Sequence, residues 1–291
     1  MTIEIFMQTI VNGLFTGAIY ALVAIGLTLI YGVMLILNFA HGEFLMLGMY
    51  ISYWCFALLG MDPYLSIPIS GLLIFALGAS IQRGLVNRVL DSHPLNQIIL
   101  LLGVSMLIMG LVQFFWTAQP RVVRVPYETE VFVIQGLRFS IPRTVAFFSA
   151  MFISLSLYLF LQKTRTGAAI RAVSQSREGA LLMGIDVKFI YMLTFGLGVA
   201  VTAIGGSLLT PNYRMIPTIG QAFSVTAFVV VVLGTMGNFI GAFLGGLIIG
   251  VVEAFAGFYF GGDVKIIASM LVFILILLFK PAGLFGKKKG I

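Results

Sequence analysis

Asn38, His41 and Glu43 stand close together in the string LNFAHGEFLMLGMY, inside an otherwise apolar part of the chain. An amide, an imidazole and a carboxylate at that spacing could hold a polar substrate, relay a proton or ligate a metal. The metal reading needs several convergent donors, and the only other histidine, His93, is far along the sequence, so no metal set is expected. Glu253 is the second carboxylate in a long apolar run. Proton-coupled carriers generally need such intramembrane carboxylates, so a secondary transporter built on this chain would couple protons through Glu43, Glu253 or His41. The plainer expectation for Glu253 is a carboxylate snorkelling from a helix end to water. No phosphate-binding loop, nucleophile elbow, zinc motif or dinucleotide fingerprint occurs, so no catalytic residue is read, the chain is not expected to be an enzyme, and it binds no cofactor of its own.

The elements that must position these groups are membrane helices. Of the 291 residues 60% are hydrophobic and 9% charged, with a mean hydropathy of +1.10, far from the roughly 25% charged residues of a soluble domain. No Asp, Glu, Lys or Arg occurs between Glu4 and Glu43, and similar gaps run from Phe44 to Met61, Ser92 to Pro120, Phe189 to Tyr213 and Met215 to Val252. About 20 apolar residues cross a bilayer as a helix, whereas a barrel would show alternating segments of about 10. The fold class expected is therefore all-α, a polytopic transmembrane bundle of about 8–9 spans in a single domain over residues 1–291. Apolar segments begin near Phe6, Phe44, Tyr64, Leu95, Val145, Phe189, Ala222, Gly241 and Ile266. Ala222 to Leu233 is too short to span alone; it either extends toward Phe239 or is a broken half-helix. The N-terminus lacks the basic start of a signal peptide, and its first helix is expected to be retained.

The basic residues orient the bundle. Arg83, Arg88, Lys163, Arg165, Arg171, Arg177, Lys188, Lys280 and Lys287 to Lys289 fall on one side, 11 in all, and Arg121, Arg124, Arg138, Arg143, Arg214 and Lys265, 6 in all, on the other. The positive-inside rule makes the richer side cytoplasmic, which explains the net charge of +7 without a nucleic-acid partner. Residues 118–143 then form an extracytoplasmic loop, with a small hairpin around Gln135-Gly136. The single cysteine, Cys55, excludes an intrachain disulfide. Around Gly42 two readings stay open: a helix hinge beside a translocation path, or a short turn with His41 and Glu43 at the water interface.

Gly237, Gly241 and Gly245 recur every four residues, a spacing that lets helix backbones approach closely and marks a packing face. Residues 163–188, KTRTGAAIRAVSQSREGALLMGIDVK, are the longest polar interruption of the second half. Their alanines and the apolar Ile170, Val173, Leu181, Leu182 and Ile185 predict a short amphipathic helix, suited to a groove on another protein or to anionic headgroups.

Two of these strings together resemble the inner-membrane permeases of bacterial ABC importers for branched-chain amino acids and of relatives that carry other amino acids, amides or urea. LNFAHGEFLMLGMY resembles the element after their first span, and TRTGAAIRAVSQSREGALLMGIDV their cytoplasmic coupling loop. Glu178, Ala180 and Gly184 match the E-A-A-x-x-x-G core of that loop, with Gly179 in place of its second residue. KPAGLFGKK and GTMGNFIGAFLGG extend the likeness over nearly the whole chain, and its length is similar to the smaller permease of a heteromeric pair. The resemblance implies a multi-pass protein of the bacterial inner membrane. It also implies a second related permease, two cytoplasmic ATP-binding cassette subunits that bind the ATP, and an extracytoplasmic substrate-binding protein. On this reading Arg165, Gly167, Arg171, Glu178, Ala180 and Gly184 dock the ATPase, and Asn38, His41 and Glu43 border the substrate pathway.

Overall fold

The computed structural model describes residues 3–262 and 264–286. Among the described residues seven helices are long and apolar enough to cross a membrane: α1 (Ile3–Met34), α2 (His41–Leu59), α3 (Ile67–Val89), α4 (Pro94–Trp116), α5 (Ile141–Lys163), α8 (Val187–Leu209) and α10 (Phe239–Phe260). Between α5 and α8 lie two short helices, α6 (Arg165–Gln175) and α7 (Arg177–Leu182). The apolar helices α9 (Ile219–Leu233) and α11 (Val264–Phe279) complete the bundle. With 15 residues, α9 rises only about 22 Å, short of a bilayer core of roughly 30 Å. It ends at a turn over 234–238 rather than running on to Phe239, so the half-helix alternative is the one realised.

Helix α1 lies at the centre, with α8 and α10 along it and α2 packed on α8. Of the most apolar window of α1, 78% of residues are buried, against 28% for α4 and α5, which places those two at the periphery. The core is filled by Phe44, Met46, Met49 and Tyr50 of α2 and Phe195 of α8, all at most 1% exposed. Two glycine faces of α10 explain its fit. A Cβ at Gly241 would lie 1.7 Å from the Gly234 carbonyl oxygen, and one at Gly246 or Gly250 would meet the backbone of α1 at Ala21 or Gly17. Gly245 packs on Val230 and Gly234, whereas Gly237 lies outside the helix, in the preceding turn at φ 81°, against Gly32.

The connections sort to two ends. At one, Gln8 of α1 exchanges hydrogen bonds with the Arg138 backbone. There too the Tyr64 hydroxyl donates to the Pro142 carbonyl, Tyr127 donates to Asp62, and Arg121 pairs with Met215. Burial first, then the bond to Asp62, pushes the Tyr127 phenol well above its ordinary value. The hairpin stands here as β1 (Val131–Ile134) and β2 (Leu137–Ser140); Gln135 and Gly136, at φ 49° and 82°, form the two-residue turn that this pairing requires. At the other end Arg177 pairs with Asp91 in the α3–α4 turn, and the backbone N–H of Leu284 donates to Leu233. Alternate helices thus run between the same two ends. Of the described basic residues eight lie at the second end and six at the first, the direction of excess that the positive-inside rule expects of a cytoplasmic end. Lys287 to Lys289, assigned to that end from sequence, lie outside the described residues.

Candidate functional site

Leu35, at φ 56°, ends α1, and the chain then turns back into the bundle, with Ile36 and Asn38 buried, before α2 begins at His41. Asn38 builds the start of α2: its Oδ1 accepts from the Ala40 N–H at 3.1 Å, an Asx turn. His41 is fully buried. Its Nε2 lies 2.9 Å from the Val23 carbonyl oxygen and 2.7 Å from Thr202 Oγ1, while the Thr202 hydroxyl donates to the Gly198 carbonyl. Because the Thr202 proton is already used, the imidazole proton sits on Nε2, shared between the two oxygens. Val23 and Thr202 lie within α1 and α8, so α2 starts inside the bundle.

Helix α9 starts beside it. The Gly42 N–H donates to Ser224 Oγ at 2.8 Å, and a Cβ at Gly42 would fall 1.9 Å from the Gly220 carbonyl oxygen. Ser105 of α4 donates to Glu43 Oε1 at 3.2 Å; Oε2 is buried without a partner, facing the Gly220 backbone. The two helix starts therefore cross backbone to backbone with one carboxylate at the crossing. This differs from the interfacial-turn reading, because Asn38, His41 and Glu43 are at most 1% exposed. They also line neither of the two cavities described next.

The first cavity, about 550 Å³, opens between α1, α5, α9, α10 and α11. Glu253 forms part of its wall. It does not snorkel: it is 5% exposed, in mid-helix, and accepts from Tyr20 at 2.7 Å and from Ser269. Thr9, Asn12, Thr16 and Tyr20 line the same space from α1. Their spacing of three and four residues puts them on one helical face, a polar stripe visible in the sequence. The second cavity, about 410 Å³, lies toward the end that carries the Arg177–Asp91 pair, between α1, α5 and α6, with Arg171 and Asn238 in its wall.

The 163–188 segment is two helices rather than one, broken at the extended Ser176. Thr164 Oγ1 caps α6 by accepting from Gly167 N–H at 2.9 Å, and Gly167 is buried where a Cβ would lie 2.4 Å from the Phe160 and Leu161 carbonyls. Ser176 Oγ caps α7 through Gly179 N–H at 3.0 Å. At its other end Ile185 N–H donates to Ala180 and Gly184 N–H to Leu181, a Schellman motif with Gly184 at φ 78°. Ile170, Val173 and Ala180 face inward, while Leu181, Leu182 and Met183 project outward at 53%, 88% and 82% exposure. Arg165 and Glu178 are exposed, and Arg171 is half-buried. Arg177 holds Asp91 through two hydrogen bonds, and those bonds keep the Asp91 carboxyl below the usual carboxylate range.

Known proteins are similar to this chain in sequence. The family described as "Branched-chain amino acid transport system / permease component" matches residues 9–280. The high-affinity branched-chain amino acid transport system permease protein BraD of Pseudomonas aeruginosa is 33% identical over 295 residues, covering 97% of this chain and 96% of BraD. LivH of Escherichia coli K12, of the same description, is 34% identical over 297 residues with the same coverage. Among solved structures, PsaBC from Streptococcus pneumoniae in complex with Fab superposes with a TM-score of 0.51 over 94% of this chain and 92% of that one, at 12% identity, a likeness of fold alone. The chain is a multi-pass membrane protein and belongs to the branched-chain amino acid ABC importer permease family.

Proposed function

We propose that this chain is one permease subunit of an ATP-driven importer in a bacterial inner membrane, moving branched-chain amino acids inward by alternating access. A second, related permease completes the pathway, two cytoplasmic ATP-binding cassette subunits supply the work, and an extracytoplasmic binding protein delivers the substrate. The similarity to BraD and LivH, both branched-chain amino acid permeases, supports branched-chain amino acids over amides or urea.

The observation that carries the reading is α7. A six-residue helix capped at both ends, with its C-cap Met183, presents Leu181, Leu182 and Met183 to the cytoplasmic end, where no described residue covers them. Apolar anchors on a short rigid helix are what a groove on a partner takes up. Its partner senses substrate through the bundle, because α6 packs on α1 and α5 and Arg177 is tied to the α3–α4 turn. Glu178, Ala180 and Gly184 form the docking core, with Arg165, Gly167 and Arg171 setting its angle. Asn38, His41 and Glu43 act on the pathway by fixing the crossing of α2 with α9, about which the two arrangements would differ. Shifting such an equilibrium from 1:99 to 99:1 takes about 5.5 kcal/mol of differential binding.

The test is reconstitution of the chain with its permease partner, ATPase subunits and binding protein in liposomes. Leucine uptake that requires internal ATP is expected; uptake without the ATPase subunits would reject the mechanism.

A further inference from the structure

We propose that the first cavity is a binding site for a zwitterionic α-amino acid, with Glu253 receiving the ammonium group, Arg143 and Lys265 the carboxylate, and the ring of Phe223 forming the wall for the apolar side chain. This rests on the importer reading above. At about 550 Å³ the space is of ligand size, and its chemistry is divided. Glu253 is buried, and its two oxygens are each fixed by one hydroxyl donor, Tyr20 and Ser269. Each oxygen keeps a lone pair for a further donor. Arg143 and Lys265 are exposed at the first turns of α5 and α11, at the extracytoplasmic end, and neither makes an ion pair with any described residue. The Lys265 stem lies over Gly257, one turn beyond Glu253, where a Cβ would fall 2.2 Å from Lys265 Cε. Phe223 stands between two phenols, its ring 6.0 Å from that of Tyr20 and 6.1 Å from that of Tyr213.

A carboxylate and two cations that share one cavity, close enough for Lys265 to act on Glu253 through space but with no direct ion pair between them, are complementary to a ligand that carries both charges. A simple anion would leave Glu253 opposed, and an amine would leave both cations opposed. The apolar wall beside the charged groups selects a hydrocarbon side chain over a polar one. The cavity lies on the side from which a binding protein delivers, so it is an entry site, and its occupancy must be weak enough for release.

The test uses the assembled importer in nucleotide-free nanodiscs, with ligand contact read by saturation-transfer NMR during titration of L-leucine, of 4-methylpentanoate, which lacks the amine, and of 3-methylbutylamine, which lacks the carboxylate. Leucine is expected to bind at least tenfold more tightly than either analogue. E253Q should weaken leucine and the amine about tenfold and leave the acid unchanged; R143Q should weaken leucine and the acid and leave the amine unchanged. Arg143 is exposed, so R143Q reports even where E253Q fails to assemble. Equal affinities for the three ligands, or leucine titrations unchanged in both variants, would overturn the site. The headgroup of phosphatidylethanolamine is also a zwitterion, and its primary ammonium has the N–H donors that the choline headgroup lacks. Leucine binding that is strong in pure phosphatidylcholine discs and falls as phosphatidylethanolamine is added assigns the cavity to lipid and overturns the proposal, whereas indifference to it supports an amino acid. Leucine uptake by the wild-type complex is measured alongside: absent uptake faults the importer reading, and uptake with unaltered binding in the variants faults only this site.

Discussion

Gly42 is the residue at which the crossing of α2 and α9 is most exacting. A methyl group there would enter the Gly220 carbonyl at 1.9 Å, and one at Gly220 would meet the Gly42 carbonyl at 2.6 Å. Both contacts are with backbone, so neither side can yield by a rotamer change. Gly42→Ala and Gly220→Ala are each expected to cost at least the ~1–3 kcal/mol of core overpacking, read as a lowered temperature of aggregation in detergent; a wild-type midpoint in both would contradict the crossing. Glu43 makes a different point. Gln keeps the bond from Ser105 but carries no proton through a cycle, so E43Q should sustain leucine uptake within about twofold, and a protonophore should not abolish uptake while ATP is held constant. Loss of uptake to the protonophore would restore the proton-coupled reading. The polar cluster was visible in the sequence because charge is scarce there. Its partners were not, since Ser105 and Ser224 lie 62 and 182 positions from the residues they bind and each is an ordinary hydroxyl in an apolar helix.

At the scale of the element, α7 separates the needs of folding from those of docking. Gly184 has a left-handed backbone and no neighbour within 4 Å of a notional Cβ, so what a side chain meets there is backbone strain and whatever docks. Asn tolerates that conformation and Val does not. Gly184→Val is expected to destabilise the cap by ~1–2 kcal/mol and to lower leucine-stimulated ATP hydrolysis; Gly184→Asn should keep the cap, so any further loss in it measures docking. Leu182→Asp, at a position 88% exposed, should leave assembly of the permease pair intact while releasing the ATPase on gel filtration. Full ATPase retention in that variant would leave a lipid-surface role for α7. The Asp91–Arg177 tie behaves predictably with pH. Its carboxyl is depressed, so the contribution is present above the unfolded value of about 3.9 and is lost only as pH falls through the lower folded value. The coupling defect of Asp91→Asn should therefore be the same at pH 6 and pH 8, and a defect confined to one of them would show that another group titrates. The amphipathic pattern of residues 163–188 was legible as helix, but the break was not. Ser176 reads as a mid-helix residue by pattern, yet its hydroxyl satisfies the first amide donors of a new helix.

At the scale of the whole molecule, the apolar segments could be read from charge-free runs, because a charge in the lipid core costs more than packing returns, but the expected 8–9 spans become, among the described residues, seven helices long enough to cross and the two shorter ones α9 and α11. The depth at which each helix starts could not. Helices α2 and α9 begin within the bundle, and only long-range contacts with Val23, Thr202 and Gly42 reveal that. The sidedness of the loops is the point where sequence and structure constrain each other most. The described basic residues divide eight to six, a narrow margin for the positive-inside rule, yet the contacts leave little freedom. The 60–66, 117–140 and 210–218 connections are joined by Tyr127 to Asp62, Tyr64 to Pro142 and Arg121 to Met215, so they share one side. Asp91 and Arg177 bind the α3–α4 turn and the coupling segment to the opposite side. One measurement of sidedness therefore orients every loop at once. In a background with Cys55 replaced, a cysteine at Ser176 should react with an impermeant maleimide only from the cytoplasm, and one at Glu128 only from outside. The reverse pattern at both sites would invert the protein as a rigid unit, moving the Glu253 cavity to the cytoplasmic face and ending the case for it as an entry site. Reaction of both from the same side is incompatible with this arrangement of helices, because Ser176 adjoins the Arg177–Asp91 pair and Glu128 adjoins Tyr127 on Asp62.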